Sequence, residues 1–198
     1  MTQKLLEAKH WQLFFLTFGI PMIVQILMMG FLFINAKSSE NLDPSFIFGF
    51  MQYFPILMIL FMGVLLGWFW SVVTGLQKVI PLEARMNLKR FKILFFIPVI
   101  YIFFILVFIG LFINSFTSAE NLENINLFAG ILAIIFPLHL FSMFCMFHSL
   151  YFVAKTFKTA ALQREVNFSE FALEFFLMWF YPIGIWIIQP KINEMIES

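Results

Sequence analysis

Four apolar runs dominate this chain, and none of them contains an Asp, Glu, Lys or Arg. They extend from about Leu13 to Ile34, Phe46 to Val73, Ile93 to Ile113 and Leu127 to Val153. A helix needs about 20 apolar residues to cross the hydrocarbon of a bilayer. Inside that hydrocarbon each backbone polar group must be satisfied by protein, a condition an α-helix meets from within. Composition agrees. The 198 residues are 62% hydrophobic and only 12% charged, with mean hydropathy +0.95, whereas soluble domains carry about a quarter charged residues. A globule of this length could not hide that much apolar surface, so lipid is its solvent. The expected fold is all-α: a polytopic membrane helical bundle of four transmembrane helices, one integral membrane domain over residues 1–198.

The polar segments between the runs set an orientation. Lys4 and Lys9 precede the first run, which Trp11 opens as an interfacial ring. Gln77 to Lys92 holds Lys78, Arg85, Lys89, Arg90 and Lys92 against Glu83 alone. Lys155, Lys158 and Arg164 follow the fourth run. The two remaining loops hold only Lys37 against Glu40, Asp43, Glu120 and Glu123. Lys and Arg mark the cytoplasmic side, so the pattern places the N-terminus and the C-terminus in the cytoplasm and both acidic loops outside. Trp68 and Trp70 read as interfacial anchors at the end of the second span. No small-residue cleavage site follows the first run, which reads as a retained anchor. Thr2 in place of Gly and the absence of a terminal Cys box argue against lipidation.

The stretch Leu82–Ile105 (LEARMNLKRFKILFFIPVIYIFFI) returns as Leu162–Ile185 (LQREVNFSEFALEFFLMWFYPIGI). Leu82, Asn87, Phe91, Phe95, Phe96, Tyr101 and Ile105 meet identical residues. Earlier positions repeat as well: Ile34-Asn35 with Ile113-Asn114, Gly30 with Gly110, and Phe54-Pro55 with Phe136-Pro137, at offsets of 79 to 82. Polar positions match along with apolar ones, which a general Phe bias does not explain. We read two parallel two-helix repeats, about 3–81 and 82–161, related by an axis along the membrane normal, with a partial third unit at 162–198. Within that third unit Asn167-Phe168-Ser169-Glu170 reads as a helix start. The apolar run Phe175–Ile188 is broken by Pro182-Ile183-Gly184 and is short for a crossing. It suits an interfacial or re-entrant helical segment with Trp179, Tyr181 and Trp186 at headgroup depth, while the repeat argues for a full crossing.

Three groups of residues are candidates for function. Gly63, Gly67, Ser71 and Gly75 recur every fourth position, which lines small side chains along one helix face. Their expected role is a packing seam, between the equivalent helices of the two repeats or between copies. His139, Ser142, Cys145 and His148 lie in the fourth span, with Gln52 in the second. Ionisable groups at membrane depth are functional candidates, and these five could line a polar path. The bland alternative is neutral histidines bonded to carbonyls or to Gln25 and Gln52. Arg85, Lys89 and Arg90, with Glu170 and Glu174, are expected to meet anionic headgroups, a partner or one another. The ligands are too few for a metal site, and Gly-rich phosphate loops and hydrolase motifs are missing. No catalytic residue and no cofactor is therefore assigned. Cys145 is the only Cys, so no intramolecular disulfide forms. A net charge of +1 and sparse basic loops exclude a nucleic-acid footprint.

The C-terminal third resembles a family of small, functionally uncharacterised multi-span proteins of Bacteroidetes-type bacteria. The likeness rests on Leu162-Gln163-Arg164-Glu165-Val166, Phe175-Phe176, Pro182-Ile183-Gly184-Ile185-Trp186 and Gln189-Pro190-Lys191-Ile192-Asn193. It implies a bacterial inner membrane and no particular activity. The expected function is non-enzymatic: self-association through helices, or service as an accessory subunit of a larger assembly. The alternatives are a small-solute or ion conduit, an accessory membrane protein of a CRISPR or phage-defence system, and a membrane-embedded enzyme using Glu170 and Glu174.

Overall fold

The computed structural model describes residues 2–38, 54–84, 86–117 and 125–197, and all the regular structure in them is helical. A short helix α1 (Thr2–Leu6) precedes α2 (His10–Phe14), a π-helical turn (Phe15–Gly19) and α3 (Ile20–Ser38). Then come α4 (Phe54–Leu76), a 3-10 turn (Leu82–Ala84), α5 (Leu88–Thr117), α6 (Ile125–Leu162), α7 (Phe168–Trp179) and α8 (Tyr181–Glu197). Four stretches are long and apolar enough to cross a membrane: His10–Phe31, Pro55–Leu76, Leu88–Leu111 and Gly130–Leu162. They fall on the four expected spans. Arg85 and Gln52 lie outside the described residues, as do both acidic loops apart from Lys37, Ser38 and Asn114–Thr117.

The π-turn has a local cause. Pro21 has no N–H to donate and its ring crowds the preceding turn. The chain widens just ahead of it, so that the Ile20 N–H bonds back to the Phe15 carbonyl. Thr17 turns its hydroxyl onto the Leu13 carbonyl at 2.8 Å and remains buried. One continuous helical path results, from His10 to Ser38.

The helices pack at one end. Nearly all buried apolar residues sit toward the basic end of the bundle, where the loops carry Lys and Arg: Leu66 to Ile80, Phe91 and Phe95, Leu150 to Ala160, and Phe171 to Ile192. There α6 lies between α5 and α7, contacts α4 as well, and α8 folds back along α7. The far halves of the spans expose Met22, Ile26, Leu27, Phe103, Ile134, Phe136 and Phe144.

The C-terminal segment is two helices joined by a sharp bend. The break comes at Phe180 (φ −84°, ψ 57°) and not at Pro182-Ile183-Gly184, which lie inside the first turns of α8. Pro is tolerated there because the first-turn N–H groups lack helical partners in any case. Gly184 allows the bend. A Cβ at this position would come 1.8 Å from the Leu177 carbonyl oxygen. Neither α7 nor α8 is among the stretches long enough to cross.

Helix starts are chemically marked. The Asn87 side-chain oxygen accepts from the Lys89 and Arg90 N–H groups at 3.1 and 3.3 Å, at the head of α5. Asn167 precedes α7, and its N–H donates to the Glu170 carboxylate at 2.9 Å, one arm of a capping box.

Candidate functional site

The deepest polar cluster joins the two ends of the chain. Gln189 is fully buried. Its side-chain carbonyl accepts the Trp68 indole N–H at 2.6 Å. Its amide nitrogen lies 2.7 Å from the Leu6 carbonyl, 2.8 Å from the Ala8 carbonyl and 2.9 Å from the Asn193 side-chain oxygen. Two amide hydrogens are thus shared among three acceptors. Trp68 also meets Tyr181 edge-on at 5.4 Å. Sequence reasoning missed this cluster. Gln189 shows only as a polar residue in the amphipathic run IGIWIIQPKIN, and its partners other than Asn193 lie more than 120 residues away. Trp68 is correspondingly a core residue, not an interfacial anchor, because its one polar atom is satisfied inside the protein. Tyr181 is buried in the same way, while Trp179 and Trp186 remain exposed.

The small-residue ladder closes onto an unexpected partner. A Cβ at Gly67 would come 2.9 Å from Leu5, and one at Gly75 would come 2.3 Å from Leu6. The groove these glycines form is filled by α1. Between them Ser71 is buried and donates its hydroxyl to the Gly67 carbonyl at 2.7 Å. Gly63 is exposed, with nothing within 4 Å of its Cβ position. The upper ladder therefore seats the chain's own N-terminal helix, and neither the fourth span nor a second copy is needed to fill it.

The polar residues of the fourth span separate. His139 is exposed and its Nδ1 shares a hydrogen bond with the Tyr101 hydroxyl at 2.9 Å. His148 is half-buried beside Tyr151. A rise of 1.5 Å per residue puts the two histidines about 13 Å apart along α6, on opposite sides of it. Ser142 and Cys145 are buried between them, and Ser149 donates to the Cys145 carbonyl at 2.9 Å. No hydrogen bond among the described residues links His139 to His148, and no cluster there has three metal-ligating side chains.

The two acids pair with the second basic segment, not with Lys89 or Arg90. Glu170 meets Arg164, and Glu174 meets Lys158 at 2.7 Å. A tight return after α6 lays α7 alongside it, and this brings Glu174 opposite Lys158. Lys155 pairs in turn with Glu165 at 3.1 Å. The hydrogen bond from Arg164, assisted by the Asn167 N–H, holds the Glu170 carboxyl below its ordinary range, and Glu170 in turn raises Arg164. Glu174 is buried, with one oxygen on Lys158 and the other without a partner among the described residues.

A cleft of about 460 Å³ lies between α4 and α5. Ile59, Gly63 and Trp70 line one wall, Phe96, Val99 and Phe103 the other.

The chain matches no protein-family model, no curated protein and no solved structure.

Proposed function

We propose that this chain is a non-enzymatic protein of the bacterial inner membrane that works by lateral association, with its own copies or as an accessory subunit of a larger assembly. The observation that carries this is the burial of its spans. Only 11% of the apolar window in the first span, and 11% in the fourth, is buried within the chain. The packed basic end holds the helices together, and their far halves offer broad Phe-rich faces to lipid or to another protein. Packing and van der Waals contact drive helix association in lipid. In this reading the basic end is cytoplasmic and rests on anionic headgroups, and both termini lie there.

The reading includes the duplication. Its support is that Asn87 and Asn167 each precede a helix, that Phe91 and Phe171 are both fully buried one turn later, and that Thr74 and Thr156 both donate to the carbonyl four residues back. Reporter tags near Glu40 and near Asn121 should both report the outer face. Opposite faces would end the parallel-repeat reading.

Cysteines placed at exposed Ile134 and Phe144 in a Cys145→Ser background test association. Cross-linking in native membranes should give a covalent dimer or a larger adduct. Only lone monomers at every exposed position would overturn the proposal.

The Tyr101–His139 hydrogen bond at span depth favours a second reading, a small-solute or ion conduit. Unchanged flux after His139→Phe and His148→Phe together would remove it.

A further inference from the structure

Two basic clusters flank the packed end, and they differ in one respect. Lys155, Lys158 and Arg164 are each matched to a carboxylate. Among the described residues, Lys89, Arg90 and Lys92 have no carboxylate within ion-pair distance, and all three are exposed. The repeat makes the contrast sharper. Arg90 occupies the position that Glu170 fills one unit later. Where the third unit carries an acid that neutralises its neighbour, this one adds a further cation.

Lys92, with Lys89 one turn before it, stands at the mouth of the cleft between α4 and α5, whereas Arg90 lies on the opposite face of α5, toward His148. The Lys92 ammonium lies 5.8 Å from the centre of the Trp70 ring, and Trp70 lines the cleft. From Trp70 the cleft descends past Gly63 to Ile59, a distance of about 16 Å at the helical rise. Its lining is apolar throughout, including Leu5 at the wall beside α1. A volume of about 460 Å³ over that length is a slot one alkyl chain wide.

We propose that this cleft is a binding site for one anionic phospholipid, with an acyl chain lying between α4 and α5 and the phosphate held by Lys92 and Lys89. The chemistry of each part matches. The slot exposes Gly63, where an added side chain meets nothing of the protein, so the space beside it is free for a ligand. Asn87 caps the first turn of α5, from which Lys89 and Lys92 project three residues apart on one face. The site does not depend on self-association, and a lone chain suffices to form it.

The test uses the full chain released from detergent micelles containing equal amounts of phosphatidylglycerol and phosphatidylcholine, with retained lipid counted by native mass spectrometry. One phosphatidylglycerol per chain is expected. Each basic residue near a membrane surface contributes roughly fivefold in affinity for anionic lipid. A Lys89→Gln, Lys92→Gln variant should therefore lose its preference by on the order of 25-fold. Gly63→Leu, on an exposed face, should fill the slot and abolish retention of either lipid while leaving the unfolding midpoint unchanged. Lys155→Gln, whose cation is already matched, should retain the lipid as the wild type does. Equal retention of the two lipids would overturn the proposal. So would a preference that survives the double variant, or a second copy of the chain held in place of lipid.

Discussion

Trp68 donates its indole N–H to the side-chain carbonyl of Gln189 across 2.6 Å, and neither residue is reached by solvent. This bond ties the middle of the chain to its C-terminal helix, and the other end of the same amide ties that helix to the backbone at Leu6 and Ala8. Three segments distant in sequence thus meet on one side chain.

Replacing Gln189 by Leu keeps the volume and removes all of these partners. It strands the buried Trp68 N–H and the Leu6 carbonyl, while Ala8 keeps the Asn193 amide at 3.4 Å, and each orphan costs about 1–3 kcal/mol. The expected loss is about 3 kcal/mol or more, read as a lower unfolding midpoint in detergent. Trypsin should also cut faster at Lys4 and Lys9, because α1 loses its tether. Trp68→Phe should cost less, since a single donor goes and the amide oxygen can find water on relaxation.

The glycines should divide sharply under substitution. Gly184→Ala drives a methyl into the Leu177 carbonyl, backbone against backbone. Overpacking of that kind costs about 3 kcal/mol or more and should open the α7–α8 bend. Gly75→Ala meets the flexible tip of Leu6 and should cost about 1 kcal/mol. Gly63→Ala meets nothing and should be neutral or stabilise by up to about 1 kcal/mol through helix propensity. Midpoints of the three variants measured side by side check the order.

Acid should selectively remove the contribution of Glu170. Its carboxyl is depressed by Arg164 in the folded chain, so folding favours the ionised form. That stability is fully present above the unfolded value of about 4.3 and is lost as pH falls through the lower folded value. Wild type and Glu170→Gln should therefore differ by a constant midpoint shift above the unfolded value, and converge as acid protonates the carboxyl below it. A gap that persists in strong acid would show that the pair does not act through charge.

Tyr181→Phe should be neutral or stabilise by up to about 1 kcal/mol. The phenol oxygen is buried, and beside it, among the described residues, stands only the Thr17 hydroxyl, which is already committed to the Leu13 carbonyl, so no well-formed bond satisfies it. The ring contacts with Trp68 and Phe18 survive the change. Removing an unsatisfied hydroxyl while keeping the shape removes a penalty. A loss of 1 kcal/mol or more in the midpoint would reveal a partner for it.

Much of the architecture was legible in the residues themselves. Hydropathy is a local sum, so the uncharged runs at Leu13, Ile93 and Leu127 announced their helices, as did Asn167 with Glu170 as a start signal. The ladder at Gly67, Ser71 and Gly75 was visible as a groove because four-residue spacing is a property of one helix. What filled it was not visible. Leu5 and Leu6 belong to a segment whose polar composition hides two apolar side chains on one face.

What the amino acids alone determined is the kind of solvent this chain requires and the number of times it can cross it, because transfer of a helix into lipid depends on that helix alone. Which surfaces close on one another was decided only in three dimensions. Gln189 is an unremarkable polar residue until Trp68, Leu6 and Ala8 surround it, and Glu174 chooses Lys158 because a tight turn brings α7 back along α6. Hydrogen bonds and ion pairs act over about 3 Å, so they record which segments have met, and spacing along the chain does not encode that.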